Sequence, residues 1–168
     1  MTINLEQNHL LREAAEWRLI SLLFECPVGD WQMNVKNLAD EISDSQLKTA
    51  AEFAKVEASE GLYHSIFGPG GPAPAREVTY RSWVQPGYLL SELSAYYKAF
   101  SYQPQTPETP DHIAVETGFM AYLKLKEAFA EECGDKENVE ITAKAAKTFN
   151  DEHLAKFTEQ IAKSLASS

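Results

Sequence analysis

Thr109-Pro110-Asp111-His112-Ile113-Ala114-Val115-Glu116-Thr117-Gly118-Phe119-Met120-Ala121-Tyr122-Leu123, running on to Cys133-Gly134, is the stretch on which the fold class turns. Thr109 reads as an N-cap, Pro110 as a first-turn proline and Asp111 as a first-turn acid, all favourable at the positive end of a helix dipole. Ile113, Glu116, Phe119, Met120 and Leu123 carry the helical period, and Gly134 suits a left-handed C-cap. On either side the same period recurs. Leu10, Ala14, Trp17, Ser21 and Phe24 form one stripe, widened by Leu11, Ala15 and Leu22, and Pro27 ends it. A short helix is expected over Trp31–Ile42 and another from Ser43–Asp44, capped by Asp44 or Ser45, carrying Leu47, Ala50, Ala51, Ala54 and Ala58. Gly61 separates that helix from the apolar segment Leu62–Phe67. Pro86 opens a helix through Leu89, Leu90, Leu93, Tyr96, Tyr97 and Phe100, and a loop over Ser101–Glu108 follows. The last third repeats the pattern with Ile141, Ala145, Thr148 and Phe149, then His153, Leu154, Phe157, Ile161 and Leu165. Val78–Val84 is the one strand candidate, and it is short. The expected fold is all-α, a single-domain helical bundle over residues 1–168 with a long Gly/Pro-rich loop in the middle.

That loop, residues 68–79, contains three Gly and three Pro, too many for a helix or a central strand. Its glycines lack the Gly-Lys-Ser/Thr tail and following helix of a phosphate loop, which argues against nucleotide binding by that route. A long ordered loop inside a small helical domain is often functional, and a plain linker is the alternative.

Composition narrows the function. A chain of 168 residues, 44% hydrophobic and 24% charged, is that of an ordinary globule able to bury roughly two-thirds of its unfolded surface. No run approaches the ~18 apolar residues of a membrane span. The N-terminal stretch MTINLEQNHLLREAAEW has no basic or apolar leader region, so no signal peptide is expected. Cys26 and Cys133 make no disulfide framework and fit a reduced, cytosolic protein. Twenty-five acidic against 15 basic residues give a net charge of -10, which repels nucleic acid and anionic lipid and favours a cationic partner. Excess acid is also a common route to solubility. The acid is densest at the end of the long helix, where Glu127, Glu131, Glu132, Asp135, Glu137 and Glu140 are set against Lys136 alone.

Chemistry-bearing patterns are sparse. His9, His64, His112 and His153 have no mutual helical spacing and no Cys-x-x-Cys companion, and His112 with Glu116 is a single weak metal pair. Neither metal nor cofactor is expected. No nucleophile elbow is present. Tyr63, Phe67, Tyr80, Trp83 and Tyr88 bracket the loop and read either as core anchors or as an apolar groove for a basic–apolar peptide. Asp111 and His112, beside the loop, could hydrogen-bond a peptide backbone. Capping alone would explain Asp111 equally well, and a satisfied surface histidine would explain His112.

Tyr63-x-x-x-Phe67, the run Gly68-Pro69-Gly70-Gly71-Pro72-Ala73-Pro74 and Glu77-Val78-x-Tyr80 together resemble the TorD/DmsD/NarJ-like redox-enzyme maturation chaperones. Thr109-Pro110-Asp111-His112-Ile113-Ala114-x-Glu116-x-x-Phe119-Met120 resembles the family's Pro-Asp-His helix, and Phe149-x-x-x-His153-Leu154-x-x-Phe157 its C-terminal helix. These blocks cover residues 60–160. The resemblance implies an all-helical, non-enzymatic cytosolic chaperone that binds the catalytic subunit of a molybdopterin oxidoreductase, or its twin-arginine leader, until the molybdenum cofactor is inserted. It would act as a monomer or homodimer. Carried over by position, Tyr63, Phe67, Tyr80, Pro110, Asp111, His112 and Glu116 would line or support the cargo site. One departure is that many members have Pro-Trp-Glu-Ser after the loop, where this chain has Pro74-Ala75-Arg76-Glu77-Val78. Two other readings are a structural helical subunit or adaptor of a larger redox complex, and a small hydrolase or nucleotide-dependent factor using His112 with Asp111. The latter lacks a phosphate loop, a metal set and a nucleophile.

Overall fold

The computed structural model describes residues 9–167. The first eight residues of the stretch read above as leaderless lie outside them. Helices α1 (His9–Leu23), α2 (Trp31–Glu41), α3 (Ser45–Glu57), α4 (Glu60–Phe67), α5 (Glu77–Tyr80), α6 (Pro86–Ala99), α7 (Ile113–Glu132), α8 (Lys136–Phe149) and α9 (Ala155–Ala166) follow in order, with a π-helical turn, Asn150–Leu154, joining α8 to α9. The fold is an all-α bundle, and there is no strand among the described residues. None of the described helices is long and apolar enough to cross a membrane.

Helix α7 is the axis. Every residue from Asp111 to Ala121 is buried, so this half of the helix is enclosed on all sides rather than striped. Small residues make that possible. Ser21 of α1 donates to the Ala114 carbonyl at 2.7 Å, and a Cβ on Gly118 would sit 2.6 Å from Tyr102 Oη and 3.2 Å from Ser21 Oγ. Phe119 anchors the main core, with ring centroids 4.9 Å from Phe149, 5.0 Å from Tyr97 and 5.3 Å from Tyr102. Leu89 and Leu93 from α6 and Leu154, Phe157 and Ile161 from the C-terminal segment complete it. A second apolar cluster joins Leu19 and Leu22 to Trp31, Val35, Ala39, Ile42 and Ala51 of α2 and α3, and the Trp31 indole donates to the Leu22 carbonyl at 2.7 Å.

Several local signals act as the sequence suggests. Asp44 caps α3, accepting from the Leu47 amide at 2.8 Å. Pro86 occupies the first turn of α6. Gly134, at φ +68°, closes α7 in a Schellman arrangement, its amide bonded to the Glu131 carbonyl and that of Asp135 to Ala130.

Four expectations are corrected. Val78–Val84 is not a strand: the pairing with residues 111–113 stops at Glu77, Glu77–Tyr80 winds into one helical turn, and a turn from Arg81 to Val84 follows. Gly61 is not a boundary, because Ser59 caps α4, accepting from the Leu62 amide at 3.2 Å and placing Gly61 inside the helix. Thr109 does not cap α7. The cap is His112, and Asp111 lies before the helix rather than in its first turn. Ile141 is not core. It is half exposed, while Thr142 and Ala146 face inward.

Candidate functional site

The Gly/Pro loop is built backbone by backbone onto the start of α7. Gly71 passes so close to α4 that a Cβ there would lie 2.4 Å from the Ile66 carbonyl oxygen, so only glycine fits without displacement. The amides of Ala73 and Ala75 then donate to the Ile66 and Phe67 carbonyls, and both alanines are fully buried. Beyond them the chain pairs with residues 111–113 in a short antiparallel bridge between Arg76 and His112. Its two bonds are Ile113 amide to Ala75 carbonyl, 2.9 Å, and Glu77 amide to Asp111 carbonyl, 2.8 Å. This pairing holds Asp111 out of the helix.

Asp111 is completely buried. Its Oδ1 accepts from Arg76 Nε (3.0 Å), Arg76 Nη2 (2.8 Å) and Thr109 Oγ1 (2.9 Å), and its Oδ2 accepts from the Val78 amide at 3.3 Å. The carboxylate therefore clamps the loop and α5 to α7.

His112 is buried too, and it faces inward rather than toward solvent. Its Nδ1 accepts the Ala114 amide at 3.1 Å, which assigns the neutral ring's proton to Nε2. Nε2 lies 3.1 Å from Tyr63 Oη, and that hydroxyl donates to Glu108 Oε1 at 3.3 Å. Burial lowers the His112 pKa, with Arg76 adding to the effect while Glu108 and Asp111 oppose it. Burial, reinforced by Glu108, raises that of Tyr63. Tyr63 packs at 5.5 Å on Phe67, which in turn meets Phe24, just past the end of α1, at 5.4 Å. The Pro110 carbonyl accepts from Tyr97 Oη at 2.7 Å.

One helical turn into α7, Glu116 is fully buried, and neither of its oxygens meets a hydrogen-bond donor. Burial first, then the neighbouring Glu77 and Asp111 carboxylates, push the Glu116 pKa well up, while Arg81 pulls it down. Glu77 pairs with Arg81 through Oε1 and lies 3.0 Å from His153 Nδ1 through Oε2. Tyr80 stands slightly apart, stacked on Phe157 at 6.0 Å with its hydroxyl buried and unpartnered.

Tyr63, Phe67, Pro110, Asp111, His112 and Glu116 thus converge around the start of α7, as a packed polar interior rather than a lined surface. Of the two readings of the aromatics that bracket the loop, Tyr63, Phe67 and Tyr80 fit that of core anchors. Tyr63 turns inward, whereas Trp83 is 98% and Tyr88 68% exposed. An apolar groove of about 630 Å³ lies elsewhere, between α1, α2, α7 and the 101–105 loop. Leu11, Ala15, Leu38, Tyr122 and Leu125 line it, with Arg18 and Glu41 also contributing. None of the seven residues singled out from the sequence lines it.

Arg76, Arg81, Glu108 and His153 belong to the polar interior and were not chosen as site residues from the sequence. A possible signal was their position in or beside the motif blocks. Arg81 and Glu108 lie four residues from Glu77 and His112, whereas Arg76 and His153 find their partners through tertiary packing, His153 and Glu77 being 76 residues apart.

Comparison with curated proteins finds no significant match. The family model described as nitrate reductase delta subunit matches residues 30–163, a span that includes the loop, the Asp111–His112 turn and the buried acid–histidine cluster. That match covers most of the chain, and the protein belongs to the nitrate reductase delta subunit family, the NarJ/TorD type of molybdoenzyme maturation chaperones.

Proposed function

We propose that this protein is a cytoplasmic chaperone for the catalytic subunit of a molybdopterin oxidoreductase. It would bind the cofactor-free subunit, its twin-arginine leader or both before assembly or export. The family match over residues 30–163 carries this reading. The groove between α1 and α7 is the docking surface it favours. Its apolar lining suits the hydrophobic stretch of a leader or an unpacked helix of the immature subunit. The net charge of -10 suits the arginines. In this reading Tyr63, Phe67, Tyr80, Pro110, Asp111, His112 and Glu116 support the bundle from within, and Asp111, His112 and Glu116 act as positioning residues rather than cargo contacts.

Titration calorimetry with the apo-subunit and with leader peptides tests both parts. Leu125 is half exposed on the groove, so Leu125→Glu should weaken binding at least ~10-fold, the loss of about 1.4 kcal/mol, with an unchanged Tm. Trp83→Ser should leave binding alone. The opposite pair of results would move docking to the α5–α6 turn. Absence of binding by the unaltered protein to any such subunit or leader would remove the chaperone assignment.

A further inference from the structure

Glu77, Glu116 and His153 come from three separate elements, α5, α7 and the π turn, and they meet in the interior. One ligand-capable atom of each lies within 4.8 Å of those of the other two, and all three residues are buried. The cluster is electrostatically incomplete. Arg81 pairs with one oxygen of Glu77 and Arg76 with Asp111, so neither guanidinium is ion-paired with Glu116. Both Glu116 oxygens and His153 Nε2 are buried without a hydrogen-bond partner. An ionised carboxylate in such a place must acquire either a proton or a cation.

The donor geometry favours the cation. A single proton shared with Glu77 satisfies one Glu116 oxygen and leaves the other bare. Glu77 Oε2 stands 3.0 Å from His153 Nδ1, a hydrogen-bond distance that is also the separation of ligands about 90° apart on one ion with bonds of about 2.0–2.2 Å. Arg81, on the far oxygen of Glu77, then acts as the outer partner that orients a ligating carboxylate. π turns recur at functional sites, and this one supplies the histidine.

We propose that Glu77, Glu116 and His153 bind one divalent first-row transition-metal ion, which ties α5 and the α8–α9 joint to α7. Two carboxylates and an imidazole form a nitrogen–oxygen donor set of the kind that takes Zn²⁺, Co²⁺ or Mn²⁺. The site rests on these side chains alone and is independent of what cargo the protein binds. Glu92 and Glu152 form a second acidic set around the same histidine. Glu152 is exposed and already accepts from Tyr96 Oη at 3.0 Å, so the inner set is the one that lacks a partner.

The test uses the full chain, stripped with chelator and titrated separately with Zn²⁺, Co²⁺ and Mn²⁺ by calorimetry and thermal unfolding. One ion should bind per chain, and Tm should rise about 5–10 °C with metal at a hundred times Kd. Glu116→Gln keeps the shape, removes the charge and should weaken binding ~100-fold or more while remaining folded. Glu152→Gln should bind as the unaltered protein does. The proposal is overturned if the unaltered chain takes up no stoichiometric metal, in which case Glu116 simply holds a proton. It is overturned equally if Glu116→Gln retains binding or if Glu152→Gln abolishes it.

Discussion

Replacing Asp111 by asparagine distinguishes a clamp from a cap. At an N-cap the two residues are nearly equivalent, and the exchange would cost a few tenths of a kcal/mol at most. In the observed geometry the carboxylate accepts from both Arg76 nitrogens, from Thr109 and from the Val78 amide. An asparagine can turn its oxygen to Arg76 and Thr109, but its amino group then opposes the Val78 N–H, and two donors face each other. The Arg76 side chain is 40% exposed and can rehydrate, so the lost charge assistance is discounted to about 0.5–1 kcal/mol. The opposed donors add about 1–2 kcal/mol. The sum, about 1.5–3 kcal/mol, corresponds to a fall in Tm of about 3–12 °C for a chain of this size. Urea unfolding followed by circular dichroism should show this as a lower midpoint with an unchanged slope. In a double-mutant cycle, Arg76→Ala and Asp111→Asn should couple by about 1 kcal/mol. A cost below 1 kcal/mol for Asp111→Asn would refute the clamp and return Asp111 to an ordinary turn residue.

Three further outcomes are expected. Phe119→Ala, at the centre of the aromatic contacts with Tyr97, Tyr102 and Phe149, should cost about 3–5 kcal/mol in the same urea assay. His112 has a folded pKa below its unfolded value of about 6.5, so unfolded chains take up the proton first. Its contribution to stability is therefore complete above about pH 6.5 and declines as pH falls toward the lowered folded value. His112→Asn, which can still cap α7, should flatten the Tm–pH curve over that window. With a net charge of -10, association with a basic leader should slow clearly between low and physiological salt while dissociation changes little, as stopped-flow mixing would record.

Local chemistry was legible in the sequence, and long-range pairing was not. Asp44 capping α3, Pro86 opening α6 and Gly134 closing α7 each act within a few residues, and each was readable from neighbours alone. The start of α7 was misread because Thr109-Pro110-Asp111 is a sound capping sequence in isolation. The bridge from Arg76 to His112 draws those residues away and shifts the cap to His112. The strand candidate at Val78–Val84 failed because the pairing with residues 111–113 ends at Glu77, where the chain turns into α5. That Tyr63, Phe67, Pro110, Asp111, His112 and Glu116 lie near one another was legible through their motif blocks, while the burial of the polar ones was not. Polar residues such as Asp111, His112 and Glu116 suggest a surface until their neighbours Arg76, Tyr63 and Glu77 are seen. The groove between α1 and α7 had no motif to announce it, because alanines and leucines on a helix read as core whether or not another element covers them.

The central claim is that this chain recognises a molybdoenzyme subunit in its immature form. The most direct test is to measure binding of one catalytic subunit twice, purified without its molybdenum cofactor and again after the cofactor has been loaded. The account predicts a stoichiometric complex with the cofactor-free subunit that is lost on loading. Equal affinity for both forms would contradict it and point to a permanent subunit of the assembled enzyme.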